Sequence, residues 1–167
     1  MFGSIVKTGF VTIILLTSCI TKSIEQASTA EHTVEQSAQQ ALLSFLEDMH
    51  TGSYTKAMKQ YGGSYEALIE NNTNIQPNNH AALLENACTI NGYQCLEVKT
   101  VMLEKNISPT EFTFAVEFLN EDGSLFMRGP CCGGNETDFP AQSSFTFTVI
   151  RDDEGNFLVM DLPPYVP

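Results

Sequence analysis

Four cysteines, Cys88, Cys95, Cys131 and Cys132, are the residues whose type and spacing most readily do chemistry in this chain. The last two are adjacent in the stretch GPCCGGNETDFP, Gly129 to Pro140. A zinc site built from the four thiolates would lack the short C-x-x-C pairs such sites use, and no histidine lies beside them in sequence. A redox catalyst is disfavoured too, because neighbouring cysteines do not present one exposed attacking thiolate as C-x-x-C does. Disulfide bonding remains, provided that the chain reaches an oxidising compartment. Other catalytic signals are sparse. G-x-S-x-G, H-E-x-x-H and a glycine-rich phosphate loop are all missing. His32, His50 and His80 each fall in a polar segment or at a helix end, without an evident partner acid. Asp48, Tyr54, Tyr61 and Tyr65 are the ionisable side chains that helix mouths could turn toward a pocket. Their competing role is capping and packing. Nothing in the pattern calls for a cofactor or a metal.

The compartment is written in the first residues. Lys7 is followed by the apolar run GFVTIILL, Gly9 to Leu16, the charged start and apolar middle of a secretory signal. The run is too short to span a bilayer, which takes about 20 apolar residues. It ends in LTSC, Leu16 to Cys19, and this tetrad resembles the bacterial lipobox. The resemblance implies removal of residues 1–18 and acylation of Cys19, palmitate included. It thereby implies a lipid-anchored, extracytoplasmic protein of the cell membrane or envelope, tied to the membrane through Cys19. Residues 19–33 are small and polar with no apolar period, and read as a lipidated flexible tether. The 149 residues left after cleavage suffice for one domain, and residues 34–167 are assigned to it. In the mature chain seven Lys and Arg stand against 20 Asp and Glu, a net charge of −13. Such a surface repels nucleic acid and anionic headgroups, so nucleic-acid binding is excluded.

The elements follow from periodicity. Val34, Ala38, Ala41, Leu42, Phe45, Leu46 and Met49 recur at helical spacing up to Thr51-Gly52. A short helix is expected from Ser53, as N-cap, to the Gly62-Gly63 break, another turn over residues 64–70, and a further helix from His80 to about Asn91-Gly92. Beyond residue 95 the period becomes two. Strands are expected near 95–105, 110–119, 124–129, 143–150 and 156–162, separated by turn chemistry such as NEDG and RDDEGN. Helices followed by strands make an α+β fold, with the N-terminal helices on one face of an antiparallel sheet. Phe112, Phe114, Phe118, Phe145, Phe147 and Phe157 form the core before they form a ligand cage. The closing DLPPYVP is expected to lie back over its own domain.

The helical start with FLEDMHTGSYTKAMKQYG, Phe45 to Gly62, followed by a curved sheet, resembles the nuclear transport factor 2-like, or cystatin-like, cone. The tail FLVMDLPPYVP is similar to those of uncharacterised bacterial lipoproteins that share this cone. The resemblance implies the fold and leaves the function wide, from isomerases and cyclases to noncatalytic binding modules. The first expectation is a noncatalytic module that binds a protein partner or a small apolar ligand. A small-molecule isomerase or cyclase working in a cone pocket, and a structural envelope component, are the alternatives. A hollow interior would favour the enzyme. In an antiparallel order, strands of ten residues span roughly 30 Å, and disulfide partners need Cα atoms within about 7 Å. Cys88 therefore pairs best with Cys95, leaving Cys131 with Cys132, while crossed pairing stays open.

Overall fold

The computed structural model describes residues 20–129 and 140–167, with side chains in the first helix from Val34 onward. The signal segment, Cys19, Cys131 and Cys132 lie outside the described residues. The elements run α1 (Ile20–His50), α2 (Tyr54–Ala57), α3 (Glu66–Asn71), α4 (His80–Thr89), β1 (Glu97–Ser108), β2 (Glu111–Leu119), β3 (Phe145–Arg151) and β4 (Phe157–Val159). The fold is thus α+β, with helices first and one four-stranded antiparallel sheet in the order β1-β2-β3-β4.

Helix α1 begins at Ile20, earlier than the apolar stripe alone suggests. The stretch read as a tether holds neither glycine nor proline, so nothing in it breaks a helix. Its core stripe is Ala38, Leu42, Phe45, Leu46 and Met49, all buried. The helix ends as its sequence dictates. Gly52 sits at φ 74°, where a side chain would be strained, and the Ser53 amide donates to the Asp48 carbonyl at 2.7 Å. Ser53 then precedes α2, but its hydroxyl makes no capping bond, and Ser53 serves the helix through its carbonyl. At α4 the Asn79 side chain does cap, accepting from the Ala82 amide.

In β2 burial alternates strictly. Phe112, Phe114, Val116 and Phe118 face inward, joined from β3 by Phe145, Phe147 and Val149. The strand expected over 124–129 does not form. Asn120 to Gly123 make the turn, and the Phe126 amide bonds the Phe118 carbonyl, but pairing then lapses to single bridges, Leu119 to Leu125 and Arg128 to Gln142. The reason is competition for one edge. β3 occupies β2 from Glu111 to Val116, leaving the 124–129 segment only the last residues of β2. Three register shifts break the β1–β2 ladder and add curvature.

The far edge, at β4, is covered by the chain after α2. Val159 accepts from the Gly62 amide at 2.9 Å and donates to the Gln60 carbonyl at 2.8 Å. Glycine is needed there for space, because a Cβ on Gly63 would come within 2.2 Å of the Met160 carbonyl oxygen. The C-terminal tail lies back on its own domain, as expected. Pro163 and Pro164 are buried, Gln94 donates to Pro164, and Val166 donates to Gly92.

Truncating a core phenylalanine removes its transfer energy and leaves a cavity between two well-packed layers. Phe114→Ala is predicted to lower unfolding free energy by about 3–5 kcal/mol, read by urea denaturation. An exposed control such as Met102→Ala on β1 changes it by less than about 0.5 kcal/mol.

Candidate functional site

The space between helices and sheet is filled by buried apolar side chains. Leu42, Phe45, Leu68, Leu83, Leu84, Phe114, Val116 and Val149 are each 0% exposed, so no water-sized space adjoins them. The aromatic rings interlock: Phe118 lies 6.1 Å from Phe147 and Phe112 6.5 Å from Phe114. Phe157 alone of the six expected core phenylalanines is only half-buried.

The four ionisable residues singled out in sequence do not converge on a reaction centre. Asp48 accepts from the Gln60 side chain at 2.7 Å, which ties the end of α1 to the segment after α2. Tyr54 is half-buried, and burial, then the Glu85 charge, push its phenol pKa up. Tyr61 is buried, stacks on Phe45 at 5.9 Å and donates to the Ser64 carbonyl at 3.1 Å. Burial pushes its phenol well above the usual tyrosine range, and the neighbouring Tyr65, Asp161 and Tyr93 push it further. Tyr65 meets Tyr61 edge-on at 5.0 Å and stacks on His80 at 3.9 Å. Burial pushes its pKa up to about 12, and its buried hydroxyl has no hydrogen-bond partner among the described residues. Burial in this way favours the protonated phenol. The carboxylate near Tyr61 is Asp161, which the sequence did not single out; its Oδ2 accepts from the Thr148 amide at 2.6 Å.

Two of the three histidines, His50 and His80, are likewise engaged in structure. His50 Nδ1 lies 3.0 Å from the Cys95 carbonyl oxygen, and His80 is stacked as above. Among the described residues no group of three or more His, Cys, Asp or Glu could hold a metal ion. Cys88 and Cys95 are joined in a disulfide with Cα atoms 5.5 Å apart, linking α4 to the approach to β1. This pairing excludes the crossed alternatives for these two residues.

Two clefts open at the surface instead. The larger, about 740 Å³, runs between the outer side of α1 and the β3–β4 turn. Gln36, Gln40 and Ser44 line one wall, Asn156 and Phe157 the other, and Lys59 and Gln60 close it. The smaller, about 310 Å³, lies where the tail passes β3, between Arg128, Asp161 and Tyr165. None of Asp48, Tyr54, Tyr61 or Tyr65 lines either cleft. Sequence reading missed the larger cleft because its members are ordinary surface amides drawn from three separated segments. The run of glutamines on the polar side of α1 was the one available signal.

Comparison with protein-family models, with curated proteins and with solved structures yields no match for this chain. The site therefore rests on its own geometry.

The two tyrosines separate by substitution. Tyr65→Phe removes a buried hydroxyl that lacks a partner and is predicted to be neutral or stabilising by up to about 1 kcal/mol, whereas Tyr61→Phe loses a bond and costs about 1 kcal/mol. Because folding raises both pKa values above the unfolded value of 10.0, wild-type stability holds below that pH and falls as pH rises beyond it. Removing either hydroxyl makes that alkaline fall shallower, which urea titrations between neutral and alkaline pH will read.

Proposed function

We propose that this chain is a lipid-anchored extracytoplasmic protein whose single α+β domain, a cystatin-like or nuclear transport factor 2-like cone, is a noncatalytic binding module. The observation that carries the noncatalytic part is the filled interior. A cone enzyme surrounds its substrate with the sheet's concave face and the helices, and here that volume is taken by Phe45, Phe112, Phe114, Phe118 and Phe147. The ionisable residues at its border are spent on capping, stacking and backbone bonds. What such a domain offers a ligand is its surface.

The anchoring part is supported by the sequence of residues 1–19 and by disulfide chemistry. A Cys88–Cys95 bond persists in oxidising surroundings and is rare in the cytosol. No helix among the described residues is long and apolar enough to cross a membrane. In this reading the acyl group on Cys19 supplies the attachment, and the acidic surface keeps the domain off anionic headgroups.

Expression in a bacterium that processes lipoproteins tests the anchor. Wild-type chain incorporates a clickable palmitate analogue and fractionates with membranes; Cys19→Ser loses the label and appears in the soluble fraction. Cys19→Ser chain that keeps both the label and the membrane fraction refutes lipidation at this residue. The disulfide gives a second check. Cys88→Ser/Cys95→Ser is predicted to lose about 2–3 kcal/mol of unfolding free energy under oxidising conditions and nothing relative to wild type under strong reduction.

A further inference from the structure

We propose that the larger cleft is a carbohydrate-binding site, accepting a short saccharide between α1 and the β3–β4 turn; this deepens the binding-module reading and rests on it. The lining is the first reason. Gln40 and Ser44, one helical turn apart on the exposed side of α1, face a wall formed by Asn156 and the half-buried ring of Phe157. Lys59 and Gln60 complete it, and no carboxylate lines it in a chain with 20 acids. Sugars present hydroxyls that donate and accept at once, together with flat C–H faces. Amides and a serine hydroxyl answer the first, and an aromatic ring with Ala41 and Leu158 beside it answers the second.

The second reason is how the polar atoms are left. Gln60 spends its Nε2 on Asp48 and Lys56, and Asn156 spends its Nδ2 on Asp152, so each keeps an amide oxygen without a donor among the described residues. The side chains of Gln40, Ser44 and Lys59 have no hydrogen-bond or ion-pair partner among the described residues. The cleft therefore combines accepting oxygens with donors from Lys59, Ser44 and Gln40, the mixture that a polyol satisfies and a hydrocarbon does not. One lysine without a second cation on the lining is too little for a polyphosphate.

The third reason is preorganisation. Asp152 accepts from the amides of Glu154 and Asn156, and Arg151 donates to the Gly155 carbonyl while lying 5.8 Å over the Phe157 ring. The β3–β4 wall is thus set before a ligand arrives, which lowers the ordering cost that weakens saccharide binding. At about 740 Å³ the cleft falls within the size range of small-ligand sites.

The test is an NMR titration of the full chain in detergent micelles with three probes: the β-1,4-linked trimer of N-acetylglucosamine, an oligogalacturonate trimer, and inorganic phosphate. At least one trisaccharide is expected to give saturable shifts at the amides of Gln40, Ser44, Asn156 and Phe157. Ser44→Phe, which plugs the cleft from an exposed helix position, is expected to weaken that binding by about tenfold or more without moving the thermal midpoint. Gln40→Ala serves in its place if the plug perturbs folding, with weakening again expected. Absence of saturable shifts with both saccharides, shifts confined to other surfaces, or equal shifts with phosphate overturns the assignment. Because lipidation is read separately by fractionation, an anchored chain that ignores both sugars refutes the saccharide and leaves the binding module standing.

Discussion

Every inward position of β2 carries a large apolar side chain, and a sheet with such a face must be covered or the chain does not fold. Phe112, Phe114, Val116 and Phe118 demand a partner surface, and α1 supplies it with Ala38, Leu42, Phe45, Leu46 and Met49. The remaining helices fill the flank: Leu68 from α3, and Leu83, Leu84 and Ala87 from α4, complete the same cluster. Phenylalanine is the means by which the interior closes. The five fully buried rings, Phe45, Phe112, Phe114, Phe118 and Phe147, bury more surface than aliphatic residues at the same positions would.

That closure moves the chemistry outward. Polar groups beside the sheet act as fasteners at the border of the core. Asp48 holds Gln60, Tyr61 holds Ser64, and Asp161 holds the Thr148 amide where β4 gives way to the tail. Asn72, buried in the turn after α3, bonds to the Leu68 carbonyl, Asn86 and Asn91 and so locks α3 to α4. The disulfide adds a covalent link where α4 leads into the sheet. Such fastening leaves the α1 face and the β3–β4 turn as fixed walls, and between fixed walls a shallow cleft can hold its shape.

Much of the fold was legible because it is periodic. The stripe of α1, the alternation of β2 and β3, and the glycines at 52 and 123 each follow from one local rule, and each appears where that rule puts it. What stayed hidden depends on competition or on distance. Residues 124–129 have a strand's composition, but β3 holds the edge of β2 they would need. Ser53 looks like a cap and serves through its carbonyl, because the Gly52 turn already sets the chain direction. The site was less legible still. Asp48, Tyr61 and Tyr65 stand out by their chemistry, and the structure shows them in hydrogen bonds and ring contacts at the border of the core. Gln40, Ser44, Lys59 and Asn156 are ordinary surface residues as letters and line one cleft only when α1, the α2 exit and the β3–β4 turn meet.

The claim on which the functional reading turns is that the interior is solid. Xenon under pressure enters apolar cavities and leaves close-packed cores alone. Methyl spectra of Leu42, Leu46, Leu83, Leu84 and Val116, followed as xenon pressure rises, should drift linearly and without saturation. Saturable shifts centred on these methyls would reveal a cavity between helices and sheet, and with it the hollow cone that a noncatalytic surface binder does not have.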